Sequence, residues 1–424
     1  MNFNRRRILQ GAAALWGATT FGKTMRTARA ETVKGERKFL FCFAGGGWDA
    51  TPLDPKFGAD GFSAVGGTDM DPDTWRAEIG NLSWSAGEDR PNMDRYFSRW
   101  VNKTALLRGV NCHSAGHEAG MKWMMTGTSA SSYSDWPTTL AAFGQGEYPM
   151  PHIVFGGPAY PGSQGSALVR GGGGTLLDLI DGSIVGAADQ PAPVFSTPAD
   201  SIMDAAVYER AIDFAETREG LGLWRAEDLM GSMERNMELE GRRFEAGLGD
   251  TGSSFLDQCI MSVELMRLGL SRCAMVSIPG GWDTHGGNQN VGNQMDNFFD
   301  GLNQLMEHMA ATPGRDAPWL IDEVVVVACS ELGRTPKFNG SMGRDHWPYT
   351  SMLVAGSGVR GNRVFGATDE GFIAENVDFE TGQISSSGET IGTEHVGTAL
   401  LQLGGLDPEQ HLPGVQPLTG LLKT

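Results

Sequence analysis

Glu323–Ala328 reads EVVVVA, and no other stretch restricts the fold of this chain more. Four consecutive valines leave no face of the segment for water. Short, unbroken, β-branched runs of this kind form strands buried on both sides, and such strands belong to mostly parallel sheets covered by helices. The same texture recurs at Lys38–Ala44 (KFLFCFA), Ala105–Val110 (ALLRGV), Ile153–Phe155, Ala274–Ile278 and Ser351–Ala355. Apolar residues at three- and four-residue spacing predict helices over Glu118–Met125, Ser201–Arg218, Arg225–Phe244, Ser253–Leu268, Gln294–Ala311 and Thr393–Leu403. Strands alternating with helices predict an α/β fold, a mostly parallel central sheet with helices on both faces. Residues 31–424 read as one domain, with 200–270 a helical layer or cap. Residues 50–95, rich in Gly, Asp and Pro, read as a long surface excursion. Gly171–Gly174 lacks the following G-K-[ST] of a phosphate-binding loop and reads as a flexible loop.

Residues 1–30 do not belong to that domain. NRRRILQ, then GAAALWGATTFG, then TARA is an export leader, and Arg5-Arg6 ahead of Ile8-Leu9 points to the twin-arginine route and a periplasmic or secreted product. Its apolar core is too short to span a bilayer, and no later run reaches membrane length. The chain has 33 basic and 51 acidic residues, and removing the leader takes away six of the basic ones (Arg5, Arg6, Arg7, Lys23, Arg26, Arg29), which leaves a balance of −24. Such a surface repels nucleic acid and anionic lipid, while a bound cation still permits an anionic substrate locally. The five cysteines (Cys42, Cys112, Cys259, Cys273, Cys329) are odd in number and contain no C-x-x-C pair, so buried free thiols are expected.

Polar clusters stand directly after the strand segments. Asp49 follows the first in GGGWDAT. His113 and His117 follow Ala105–Val110 in HSAGHEAGMKWMMTG. Asp283 and His285 follow Ala274–Ile278 in IPGGWDTHGGN. Glu331 follows EVVVVACS, with Arg334, Asp345 and His346 further along in SELGRTPKFNGSMGRDHWP. In a parallel sheet these turns share one edge, the edge at which α/β proteins bind ligands. Carboxylates mixed with imidazoles suit zinc, manganese or iron better than calcium; zinc or manganese, as one or two ions, is the expected cofactor. Taken alone, Asp283-Thr284-His285 also fits a turn whose Asp caps the loop and whose His packs. Arg334 is either an anion clamp or a loop brace. Trp48, Trp282 and Trp347 either wall a pocket or pack. His152, His308, His395 and His411 read as structural, and His113 as a partner of the site or a loop residue.

GGWDTHGGN, SELGRTPKFNG and GRDHWP behind a twin-arginine leader resemble the bacterial domain-of-unknown-function family 1501 over nearly the whole chain after the leader. That family is similar in fold to the alkaline phosphatase and sulfatase superfamily. VVVVACSELG resembles the superfamily's strand ending in Ser-Asp-His-Gly, EAGMKWMMTG the helix after its nucleophile, and HVGTALLQLGGLDP with LPGVQPLTGLL its C-terminal helix and closing segment. The resemblance implies Asp49 and Glu331 on one metal, with Leu332 where the superfamily has a ligand His. It implies Asp283, His285 and His346 on the other, with two residues fewer between Asp and His than usual. It places His117 at the nucleophile position, where the superfamily has Ser, Thr or modified Cys, and implies His117 there as a metal ligand in place of a nucleophile. Ser114, Thr126 and Thr51 are the hydroxyls nearby in sequence. The implied activity is metal-dependent hydrolysis of phosphate or sulfate esters through metal-bound water rather than a covalent intermediate. The alternative is a non-catalytic relative that binds a cell-surface partner or glycan. The expected partner is therefore a small anionic ester or a surface glycan, not nucleic acid.

Overall fold

The structure, a computed structural model, describes residues 35–56, 76–171, 197–241 and 254–423. The expected export leader lies outside these residues, as does the glycine run beyond Gly171. In chain order the elements are β1 (Lys38–Ala44), β2 (Arg76–Ile79), β3 (Leu82–Ser85), α1 (Pro91–Trp100), β4 (Thr104–Asn111), α2 (His117–Thr126), α3 (Trp136–Ala142), β5 (His152–Val154), β6 (Leu168–Arg170), α4 (Thr197–Thr217), α5 (Leu221–Gly241), α6 (Phe255–Arg267), β7 (Cys273–Ser277), α7 (Val291–Ala311), β8 (Val324–Ser330), β9 (Gly333–Arg334), β10 (His346–Trp347), β11 (Tyr349–Gly356), β12 (Arg363–Phe365) and α8 (Thr393–Leu403).

The central sheet has eight strands in the order β12-β4-β11-β8-β1-β7-β5-β6. β1 pairs in parallel with both β7 and β8, and β5 and β6 continue the parallel side. β11 runs against its neighbours β8 and β4, while β12 pairs in parallel with β4. The fold is therefore α/β with a mostly parallel sheet, as the unbroken apolar strands predict.

Alternation along the strands splits the core in two. Leu40, Cys42, Ala44, Val324, Val326 and Ala328 face one layer, built with α1, α6 and α7. Phe39, Phe41, Phe43, Val325, Val327 and Cys329 face the other, built with α2, α3 and α8. Every residue of β8 is buried, and full burial of a Val contributes roughly 1.5–3 kcal/mol. That burial explains why the chain admits no polar residue between Glu323 and Ser330 except the thiol of Cys329. Helices α4 and α5 pack on each other, and α5 meets the 163–170 segment, where Trp224 Nε1 donates to the Ser163 carbonyl (2.8 Å) and Ser166 N to Asp228 (2.8 Å).

Residues 50–95 are not purely a surface excursion. The β2–β3 hairpin and the start of α1 lie within them, and Leu82, Trp84 and Met93 are buried. Trp84 stacks on Phe97 with ring centroids 4.5 Å apart. Its apolar residues are spaced among Gly, Asp and Pro, so composition hides them. The short edge strand β6 also carries no strong apolar signal, since its burial is partial.

Candidate metal centre

The parallel strands carry their following turns to one edge. β1 delivers Gly45–Asp49, β7 the turn holding Asp283 and His285, β8 Glu331, and β4 the loop leading to α2. Antiparallel β11 begins at this edge, so the segment just before it, β10 with His346, is placed there too. Backbone contact is close. Gly46 sits at φ 122°, and a Cβ there would stand 2.8 Å from Asp283 N, so the β1 turn can lie against the β7 turn only with glycine.

His117, Asp283 and His346 come together, each offering a ligand atom within 4.8 Å of the others. His117 Nε2 is 3.7 Å from Asp283 Oδ2, and His346 Nε2 is 3.5 Å from Asp283 Oδ1. His285 adjoins the group, its Nε2 3.2 Å from Asp283 Oδ1 and 2.8 Å from His346 Nε2. Donors 2.0–2.2 Å from one tetrahedral ion stand roughly 3.3–3.6 Å apart. The group is open on one side: the Asp283 and His285 side chains are 51% and 42% exposed.

The other ring nitrogen of each histidine is already engaged. His117 Nδ1 lies 2.8 Å from Glu331 Oε1, His285 Nδ1 2.8 Å from Asp345 Oδ1, and His346 Nδ1 2.7 Å from the Ala115 carbonyl. A carbonyl or carboxylate accepts only, so each Nδ1 carries a proton and each Nε2 is the ring atom turned toward Asp283. Three imidazole Nε2 atoms and a carboxylate therefore face one another, with His285 Nε2 and His346 Nε2 at the 2.8 Å of a hydrogen bond. A proton or a metal ion between those two nitrogens relieves the repulsion of their lone pairs. Histidine bound to oxygen acceptors through its second nitrogen is also the usual outer arrangement of metal ligands. The spacing of the His117, Asp283 and His346 ligand atoms fits a divalent metal.

The surrounding charges keep the donors in ligating form. Burial works against the Asp283 charge, but the Arg334 hydrogen bond (2.7 Å) and charge, with His285 and His117 alongside, hold its carboxyl below the usual carboxylate range. Burial holds the His346 imidazole below its ordinary range, aided by Arg334 and the neighbouring rings and opposed by the Ala115 bond. The bond from His285, then that from Asn339, keeps Asp345 ionised well down in pH.

Other residues singled out by sequence take different places. Glu331 is buried and binds through Oε1 both His117 Nδ1 and the Gly46 amide (2.7 Å). Asp49 is buried, its Oδ1 taking Thr51 N (2.9 Å) and the Thr51 hydroxyl, its Oδ2 taking Asn288 Nδ2 (2.9 Å) beside Arg344 Nε (3.2 Å). Arg334 is wholly buried and spends its donors on the Gly46, Gly47 and Arg344 carbonyls and on Asp283. Trp48 and Trp282 are buried and packed edge to face, whereas Trp347 is half-buried and donates to the Phe372 carbonyl. The Thr126 hydroxyl donates within its own helix end, and Ser114 bonds Gly116. His113, at φ 55°, is held by Glu394 (2.8 Å) and by Trp123 against its ring, which braces the loop that supplies Ala115 and His117. The Ala115 carbonyl, Asn288, Asn339 and Arg344 were not legible as site residues; the GRDHWP segment was the only signal, and it did not say what Arg344 holds.

A family model described as a protein of unknown function (DUF1501) matches residues 78–381. The chain belongs to the DUF1501 family. No curated protein matches this DUF1501 chain in sequence. Among solved structures it is similar to a protein solved with k-i-k-neocarrahexaose (8% identity, TM-score 0.35, covering 90% of this chain and 75% of that one). It is likewise similar to a protein in complex with its substrate D-glucosamine-2-N,6-O-disulfate (9%, TM-score 0.32, 90% and 81%). A third is a Bacteroides thetaiotaomicron protein from work on the metabolism of multiple glycosaminoglycans (10%, TM-score 0.35, 91% and 76%).

Proposed function

We propose that this DUF1501 protein is an exported hydrolase of phosphate or sulfate esters that depends on a divalent metal, zinc or manganese. The observation that carries the reading is the convergence of three imidazoles, each with Nδ1 bound to an oxygen acceptor, on the Asp283 carboxylate. His117, Asp283, His285 and His346 would hold the ion. When bound, it supplies Lewis-acid polarisation of an ester oxygen and acidification of water. The chain's own part is to fix the donors. Glu331 orients His117, Asp345 orients His285, the Ala115 carbonyl orients His346, and Arg334 holds Asp283 ionised. The exposed face of Asp283 and His285 leaves the ester room to approach.

Stoichiometric metal, with turnover of a phosphate or sulfate ester that is lost in His285→Ala and Asp283→Ala, would support the enzyme. The presence of His117 where a hydroxyl nucleophile is expected, already bound to Glu331, favours a second reading. In it the protein keeps the metal and binds a cell-surface partner or glycan. Stoichiometric metal without turnover on monoesters, diesters or sulfates would select that reading.

A further inference from the structure

A groove of ≈ 330 Å³ opens where the β1 turn meets α2. It is lined by Phe43, Gly45, Met121, Pro158, Tyr160 and Ser277, with the small residues Gly157 and Ala159. Two connections tie it to the donors. Met121 lies one turn after His117 on α2, so both side chains project from the same helix face. Gly45 precedes Gly46, whose amide binds the Glu331 oxygen that also holds His117. The wall is fixed in place: Tyr160 N donates to the buried Asp135 carboxylate (2.6 Å), and the Asp135 amide returns a bond to the Tyr160 carbonyl (2.7 Å).

Its chemistry is specific. The lining has two aromatic rings (Phe43 and Tyr160), one thioether (Met121), two hydroxyls (Tyr160 and Ser277) and several small residues, and none of these side chains is charged. Apolar walls with a few polar groups and a volume of about 300–1,000 Å³ are the usual form of a small-molecule pocket. A sulfated or phosphorylated sugar chain needs cations along its path, and this wall offers none.

We propose that the groove receives the organic part of the ester and selects an uncharged, ring-sized, apolar alcohol such as a phenol. This rests on the hydrolase reading given above. The anionic end then lies at the metal donors and the ring against Met121, Tyr160 and Pro158. Specificity for the alcohol resides in residues that touch no metal.

The test uses the mature, metal-loaded protein and two fillers. A Cβ at Gly45 would meet only Phe43 Cε1, at 3.9 Å, so Gly45→Leu points into the groove without backbone conflict. Ser277→Leu fills it from the opposite wall, in case one variant fails to fold. Fluorescence titration with 4-methylumbelliferone, an uncharged aryl alcohol, reads the groove without turnover. Saturable binding by the wild type and by His346→Ala, weakened at least tenfold in either filler, is the expected result. In parallel, kcat/KM for aryl esters should fall at least tenfold in the fillers while methyl esters change less than threefold. Unchanged probe binding in both folded fillers, or equal losses on aryl and methyl esters, overturns the groove assignment. Probe binding that the fillers abolish, in a protein that hydrolyses no ester, keeps the groove and removes the hydrolase reading.

Discussion

A neutral imidazole has a single lone pair, and the partner of its N–H decides where that lone pair points. In this protein Glu331, Asp345 and a backbone carbonyl make that decision for three histidines at once. Glu331→Gln removes a charge from the His117 partner without changing its size. It is expected to weaken metal affinity about 10- to 100-fold, read by competition with a chelating dye; unchanged affinity would mean that His117 is not a ligand. A second residue-scale outcome concerns His152. It is buried against Thr138, and burial pushes its pKa down to about 3 from 6.5. The unfolded chain then binds the extra proton between those values, so stability is full above pH 6.5 and falls as pH drops toward 3. His152→Gln should flatten the acid limb of a Tm–pH curve; an unchanged limb would show that other groups govern it. Asp283 and His346 were legible as members of one cluster because polar residues recur behind several buried strands, whereas the Asp283-Thr284-His285 triplet alone fits a plain turn equally well. The surroundings of Asp49 were not, because Arg344 and Asn288 reach it from segments hundreds of residues away in sequence.

Among the elements, α2 transmits its position directly to the site, since His117 opens it. It lies so close to the end of β8 that a Cβ at Gly120 would stand 2.6 Å from the Glu331 carbonyl. Gly120→Ala gains about 1 kcal/mol of helix propensity, but overlap with backbone costs about 1–3 kcal/mol and displaces the helix. The expected result is a lower Tm together with weaker metal binding. A Tm equal to or above the wild type would show that α2 tolerates the shift. Strand existence was legible wherever a run was wholly apolar, as in β1, β7 and β8, and helix α8 was legible to its ends at Thr393 and Leu403. The β2–β3 hairpin was not, because its anchors Leu82 and Trp84 are spaced too thinly among loop-forming residues to show a period.

For the whole molecule, the topology makes the site. Parallel β1, β7, β8 and β4 send their exits to one edge, and the antiparallel β11 brings the segment entering it to the same place. A chain with the same motifs but different strand directions would scatter the donors. Among the described residues no helix is long and apolar enough to cross a membrane. Export by the twin-arginine route is the proposed destination of the fold, and Arg5→Lys with Arg6→Lys should leave precursor in the cytoplasmic fraction; normal processing in that double variant would exclude the route. The central claim is that His117, Asp283, His285 and His346 hold a divalent metal. The most direct measurement is the metal-to-protein ratio, by plasma mass spectrometry, of mature protein exported by its own leader, compared with an Asp283→Ala and His346→Ala double variant. The account predicts at least one zinc or manganese per wild-type chain and less than a tenth of that in the folded double variant; a metal-free wild type, or equal metal in both, would contradict it.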